Sequence, residues 1–180
     1  MPDKREAIVQ AALDLIEEAG LGSFTQPRVA RRVGLKQGHI TYYFPTREDL
    51  LVAVADEAVR QRLAALRAAV EGPDDPHGKV AALARVLTAP EQTRVLIALT
   101  QSADQNETVR ASFGALAAGI APLGASLLAA FGAEVSESSL ALLQATSTGI
   151  AVLALARGGD FTAGAEHLLH EFLASLTPSH

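Results

Sequence analysis

The stretch from Thr25 to Arg47 constrains the fold of this chain more than any other. It reads Thr-Gln-Pro-Arg-Val-Ala-Arg-Arg-Val-Gly-Leu-Lys-Gln-Gly-His-Ile-Thr-Tyr-Tyr-Phe-Pro-Thr-Arg. Two short helical patterns flank a glycine-centred turn. Ala30 is small where two helices must cross closely. Gly34, four residues on, stands where the first helix must stop, and glycine takes a left-handed conformation there without a Cβ penalty. Ile40, six residues later, is placed to plug the angle between the helices. This spacing is the helix-turn-helix pattern, whose second helix enters a DNA major groove. Charge agrees: from Ala19 to Arg47 there are five cations (Arg28, Arg31, Arg32, Lys36, Arg47) and no carboxylate. Duplex binding needs a local positive surface, not a basic protein.

The rest of the chain has a different character. The first fifty residues carry seven cations and seven carboxylates, whereas the remainder carries eight and thirteen, for a net charge of -5. The two parts therefore present different surfaces to different partners. Absence of cysteine excludes disulfides and thiolate metal sites. Asp3, Lys4, Arg5 and Glu6 precede any apolar run, so no secretory signal is expected and the chain reads as cytoplasmic. Ala111 to Ala133 and Ser138 to Ala156 are uncharged and long enough to span a bilayer. The first is interrupted by glycines, serines and Pro122. The second carries Gln144, Thr146, Ser147 and Thr148 at its middle. Both are expected as helices buried inside a soluble protein.

The periodicity predicts an all-α chain of about nine helices. Helix 1 runs from about Asp3 to Ala19, with Ile8, Ala11, Ala12, Leu15, Ile16 and Ala19 as its apolar stripe. Helix 2 starts at Thr25 as N-cap and ends at Gly34. Helix 3 spans about Lys36 to Tyr43. Thr46 and Asp49 form a capping box for helix 4, which runs to about Val70. Helix 5 is expected over Lys79 to Thr88, after a Pro-, Asp- and Gly-rich loop. Helix 6 covers Pro90 to Ala103. Helix 7 covers Asn106 or Glu107 to Phe131, with a kink or break near Pro122. Helix 8 covers Ser136 to Ala156, and helix 9 starts at an Asp160 cap and ends near Leu176.

A first helix, a helix-turn-helix and then Tyr-Tyr-Phe-Pro-x-Arg-Glu-Asp-Leu-Leu leading into a long helix resemble the TetR (tetracycline repressor-like) family of bacterial regulators. The specific likeness covers about Ala7 to Leu51. The resemblance implies a DNA-binding domain over 1–46 and a ligand-binding and dimerisation domain over 47–180. It implies a DNA surface centred on helix 3. Gln37 and His39 occupy base-reading positions, and Gly38 lets the backbone approach the groove. Thr41, Tyr42 and Tyr43 follow along the helix, the tyrosines at positions that contact phosphate or thymine methyls. Thr25, Gln26 and Arg28, at the start of helix 2, and Arg47, at the start of helix 4, would contact phosphates. Lys36 stands where the family often has Ser or Thr, Gln37 where it often has Lys, and Thr41 where Tyr is common. These departures leave the fold intact and bear on the operator sequence.

For the second domain the resemblance implies a two-fold dimer through the last two long helices. Thr146, Gly149, Ile150 and Leu153 on helix 8, with Leu168, Leu169 and Phe172 on helix 9, are the candidates for that contact. Arg94, Gln101, Phe113, Gln144 and Thr148 are polar or bulky members of apolar stretches, and are the candidates for lining a pocket. Few aromatics and few interior charges point to a small, mainly apolar effector. Glu166, His167, His170 and Glu171 form the one grouping with metal-like spacing, and no third ligand is evident, so no metal is expected. No nucleophile elbow, phosphate loop or metalloprotease motif occurs, so no enzyme and no cofactor is expected. The expected partners are an operator duplex, a small-molecule effector and a second copy of the chain, with no membrane. The implied function is a repressor released from a palindromic operator by its effector. The competing readings are a regulator of the same fold answering to a protein partner or to no ligand, and a helical carrier or enzyme that has lost DNA binding.

Overall fold

The computed structural model describes residues 3–177, and among them there is no strand. The helices are α1 (Lys4–Ala19), α2 (Gln26–Arg32), α3 (Gln37–Tyr43), α4 (Arg47–Glu71), α5 (Pro76–Thr88), α6 (Pro90–Ala103), α7 (Glu107–Ala130), α8 (Glu137–Arg157) and α9 (Thr162–Ser175). A short 3₁₀ turn, Leu21–Ser23, follows α1. The chain forms two compact units. The first comprises Met1–Gln61 and Arg94–Ala115, the second Arg62–Thr93 and Leu116–His180.

The first unit is built around α1, which is capped by an Asp3–Glu6 capping box. Ile8, Ala11, Ala12, Leu15 and Ile16 are buried as expected, with Val9 and Leu13 beside them, while Ala19 is exposed at the helix end. Ser23 is a buried hydroxyl, and it donates to the Leu15 and Gly20 carbonyls, fixing the 3₁₀ turn to the end of α1. Phe24, Val29, Ala30, Ile40 and Phe44 complete the core against Leu50, Leu51, Val54 and Ala55 of α4.

The α2–α3 turn follows from Gly34, whose φ is +68°. The Leu35 N–H donates to the Ala30 carbonyl at 2.9 Å, and the Gly34 N–H to the Arg31 carbonyl at 3.3 Å. That pair is a Schellman motif: it satisfies two orphan carbonyls of α2 and turns the chain toward α3. α4 starts with the predicted capping box. The Asp49 carboxylate accepts from the Thr46 N–H at 2.9 Å, and the Thr46 hydroxyl accepts from the Asp49 N–H at 3.0 Å.

Residues from later in the chain finish this core. Val95, Ala98 and Leu99 of α6 and Val109 of α7 are buried in the same cluster. The Arg94 guanidinium donates to the Glu17 carbonyl at 2.8 Å, at the open C-terminal end of α1. The Ser112 hydroxyl donates to Asp56 of α4 at 2.9 Å.

The second unit packs α5 against α8 and α9 over a core of Leu66, Val80, Leu83, Leu87, Leu127, Leu128, Leu143, Leu169 and Leu173. Two glycines of α7 set how closely its neighbours approach. A Cβ at Gly119 would lie 2.7 Å from both methyls of Leu63 on α4, and one at Gly124 would lie 3.1 Å from a Leu140 methyl on α8.

Several boundaries differ from the sequence reading, each for a local reason. α5 begins three residues early, at Pro76, because the Asp75 carboxylate caps it by accepting from the Gly78 N–H at 2.7 Å, and proline suits a first turn. Phe161, not Asp160, is the N-cap residue of α9. The Asp160 carboxylate still accepts from the Thr162 N–H at 2.9 Å. Thr25 is the N-cap of α2 by backbone geometry, but its hydroxyl makes no cap bond. α7 continues through Pro122 as one helix. The two long apolar stretches are helical, as expected. α7 and α8 are long and apolar enough to cross a membrane by length and composition alone, yet only 22% of the apolar window in α7 and 28% of that in α8 is buried within this chain.

Candidate nucleic-acid interface

α3 has seven residues and buries one of them, Ile40. That single anchor, with Leu35 and Tyr43 partly buried and Phe44 buried against the same core, holds the helix down. Lys36, Gln37, Gly38, His39 and Thr41 are exposed, and Tyr42 is 81% exposed. A helix this short is not stable alone and forms only because tertiary packing fixes it. Its surface is thus held in place without being consumed.

The side chains differ in what remains available. The Tyr42 ring stands edge-on to Tyr43, with centroids 5.2 Å apart. Tyr43 also packs on the core, so Tyr42 is the more accessible of the two. The Thr41 hydroxyl donates back to the Gln37 carbonyl at 3.1 Å, so it is engaged with its own helix. Gln26 donates its amide N–H to the Phe44 carbonyl at 3.1 Å, tying the start of α2 to the end of α3. Its side-chain oxygen is left to accept. The Arg47 guanidinium lies 4.9 Å over the Phe24 ring and its Nε–H donates to the Phe24 carbonyl at 3.4 Å. Both contacts orient a side chain whose residue is still exposed. Thr25 and Arg28 are exposed at the start of α2.

The cations divide as well. Arg32 turns back to α1, where it forms a fork with Glu18 (2.8 Å for one arm) and approaches Asp14 at 3.5 Å. The Arg32 bond holds the Glu18 carboxyl below its ordinary range. Arg28, Arg31, Lys36 and Arg47 have no carboxylate within ion-pair distance among the described residues. The sequence reading missed Arg5. It lies 5.1 Å over the Phe44 ring, beside the end of α3, although 39 positions separate the two in the chain. No spacing rule could have found that contact.

The pocket candidates for the second domain divide between the two units. Arg94, Gln101 and Phe113 belong to the first compact unit, Gln144 and Thr148 to the second. Gln101, Gln144 and Thr148 are exposed, and Arg94 is engaged with Glu17. Of the dimer candidates, Ile150 and Leu169 are buried in the chain's own core, and Thr146 and Phe172 are half-buried. Gly149, Leu153 and Leu168 are exposed, together with Leu142 and Val152, which the sequence reading did not name. His170 lies against His77 rather than among Glu166, His167 and Glu171, with the two imidazole centroids 4.8 Å apart.

This arrangement has relatives. Residues 8–54 match the profile of bacterial regulatory proteins of the tetR family. The chain is 33% identical over 118 residues to the HTH-type transcriptional regulator BetI of Rhizobium meliloti, a stretch covering 61% of this chain and 56% of that protein. It is 29% identical over 83 residues to BetI of Stenotrophomonas maltophilia, covering 46% and 42%. The matches thus span about half the length of these curated relatives. Among solved structures, a transcriptional regulator from Rhodococcus sp. Rha1 superposes with a TM-score of 0.81 over 97% of this chain and 96% of its own, at 22% identity. A Saccharomonospora viridis protein described as a transcriptional regulator, solved in complex with choline, superposes with a TM-score of 0.79 over 94% and 95%, at 17% identity. These two likenesses concern the fold alone. The matched segment coincides with the helix-turn-helix, so residues 8–54 form a regulatory domain of the bacterial tetR family, carried in a fold that these solved structures share along nearly the whole chain.

Proposed function

We propose that this regulator binds a palindromic DNA operator as a homodimer, acts as a repressor in the cytoplasm, and is released by a small, mainly apolar effector. The observation that carries the reading is α3: one buried residue, an exposed face holding Gln37, Gly38, His39 and Tyr42, and exposed cations on either side, Arg28, Arg31, Lys36 and Arg47. Gln37 would bond adenine and His39 guanine or a phosphate, while Tyr42 and Thr41 meet thymine methyls or the backbone. Thr25, Gln26, Arg28, Lys36, Tyr43 and Arg47 would set the register on phosphates. The functional division is 1–46 for DNA and 47–180 for effector and partner.

Exposed Leu142, Val152 and Leu153 on α8 and Leu168 on α9 support dimerisation, since so large an apolar face on α8 and α9 calls for a cover. A two-fold dimer would place its recognition helices about 34 Å apart. Effector binding would favour a geometry that fits the operator poorly, and release follows as a population shift.

The test is binding of the purified protein to duplex DNA flanking its own gene, across a salt series. Affinity should fall linearly on a log-log plot as salt rises. Gln37→Ala with Tyr42→Ala should abolish preference for one short palindrome. Salt-insensitive binding, or a double variant that binds as well as the parent, would sink the proposal and favour a carrier that no longer reads DNA.

A further inference from the structure

Arg62 is unlike the arginines around it. Arg60 and Arg67, on the same helix, point outward and pair with Glu57 and Glu71. Arg62 points inward, and one Nη–H donates to the Val86 carbonyl at 3.1 Å, in the last turn of α5. No carboxylate lies within ion-pair distance of it among the described residues. A guanidinium has five N–H donors in a planar fork, so among the described residues most of this one's capacity is unused. Burial alone pulls Arg62 below the usual arginine range.

Its surroundings are aliphatic. Leu66, one turn along α4, is buried, as are Leu83 and Leu87 beside Val86 on α5. Leu63 packs on Gly119. Capping α5 explains the single bond to Val86, since a cation suits a helix C-terminus. It does not explain the burial, because an exposed cation would cap as well. A desolvated charge with no counter-charge is costly unless a partner arrives.

The same region is poorly suited to a cation such as choline. Quaternary ammonium groups are held by aromatic faces. Phe131 is flanked by His77 and His170, with centroids 6.2 and 6.0 Å away. Arg157 covers the face of Phe161 at 4.7 Å, and Phe172 packs on the core. The chain has no tryptophan, and its two tyrosines are Tyr42 and Tyr43.

We infer that Arg62 is the anchor for an apolar organic monocarboxylate, whose carboxylate takes the free side of the guanidinium fork while its tail lies among the leucines of α4 and α5. This deepens the effector reading above and rests on it. The ligand has the opposite charge to choline, and it fits a planar fork that recognises carboxylates bidentately.

The probes are straight-chain carboxylates from hexanoate to dodecanoate, each beside the alcohol of the same length, with choline as the cationic comparison. They are titrated onto the purified full chain by calorimetry. At least one carboxylate should bind saturably and more tightly than its alcohol, and Arg62→Gln should weaken it by about ten-fold or more, the worth of one charge-assisted bond, with the alcohol unchanged. Arg62→Lys, which keeps the charge and loses the fork, should fall between and serves if the Gln variant fails to fold. Equal affinity for acid and alcohol, no effect of Arg62→Gln or Arg62→Lys, or preference for choline would overturn the inference. Carboxylate binding that leaves operator affinity unchanged would overturn the effector role. Failure of the untreated protein to bind any operator would instead count against the regulator reading, leaving the titration to stand alone.

Discussion

Gly38 is a glycine that the chain's own fold does not require. It stands in the first turn of α3, has no positive φ, and an added Cβ would meet nothing within 4 Å. Alanine there should stabilise the fold by roughly 0.5 kcal/mol. We predict that Gly38→Ala raises the melting temperature slightly while weakening operator binding, because the methyl group would stand on the face proposed to meet DNA. A variant that binds DNA as tightly as the parent would remove Gly38 from the interface. The Arg32–Glu18 fork makes a second prediction at this scale. Glu18 has a depressed folded pKa, so its contribution to stability is present at neutral pH and is lost as pH falls through the folded pKa, below the ordinary carboxylate range. Arg32→Met should therefore cost stability at pH 7 and cost less at pH 3, read by denaturant melts. Both residues are largely solvated, so the difference is small.

Among the elements, α7 depends on what its glycines leave out. Gly119→Val would drive a branched side chain into the two Leu63 methyls, and we expect a loss of about 1–3 kcal/mol in urea unfolding. No change would mean that Leu63 simply swings away. This level also shows which features are legible in a sequence. The Ala30, Gly34 and Ile40 spacing and the Thr46–Asp49 box could be read because both are local: the partners lie within one turn or one loop. α5 was harder, since Asp75 and Pro76 sit in a stretch whose composition suggests a loop although each is a good helix starter. Arg5 over Phe44 and Arg94 on Glu17 left no trace, because tertiary contacts between distant positions impose no period. Apolar runs are legible as helices, but their composition does not say whether an apolar face meets its own chain or something else. Arg62 is one of four arginines on α4 and has nothing local to mark it.

For the whole molecule, the proposed dimer can be tested on the apolar surface of α8 and α9. Leu153→Glu with Leu168→Glu should yield a monomer by light scattering, still helical by circular dichroism, with operator affinity reduced at least about ten-fold because two half-sites are no longer read together. An unaltered dimer would place the interface elsewhere.

The first compact unit takes Val95, Ala98, Leu99 and Val109 from α6 and α7 into its core, after the chain has left it for thirty-two residues. The DNA reader is therefore not a cassette. A chimera that transplants only the segment up to Gln61 onto a foreign sensor would carry a core with four of its staves missing, whereas one that exchanges 62–93 and everything after Ala115 would keep it whole. Any rewiring of this regulator to a new signal has to cut the chain in three places, not one.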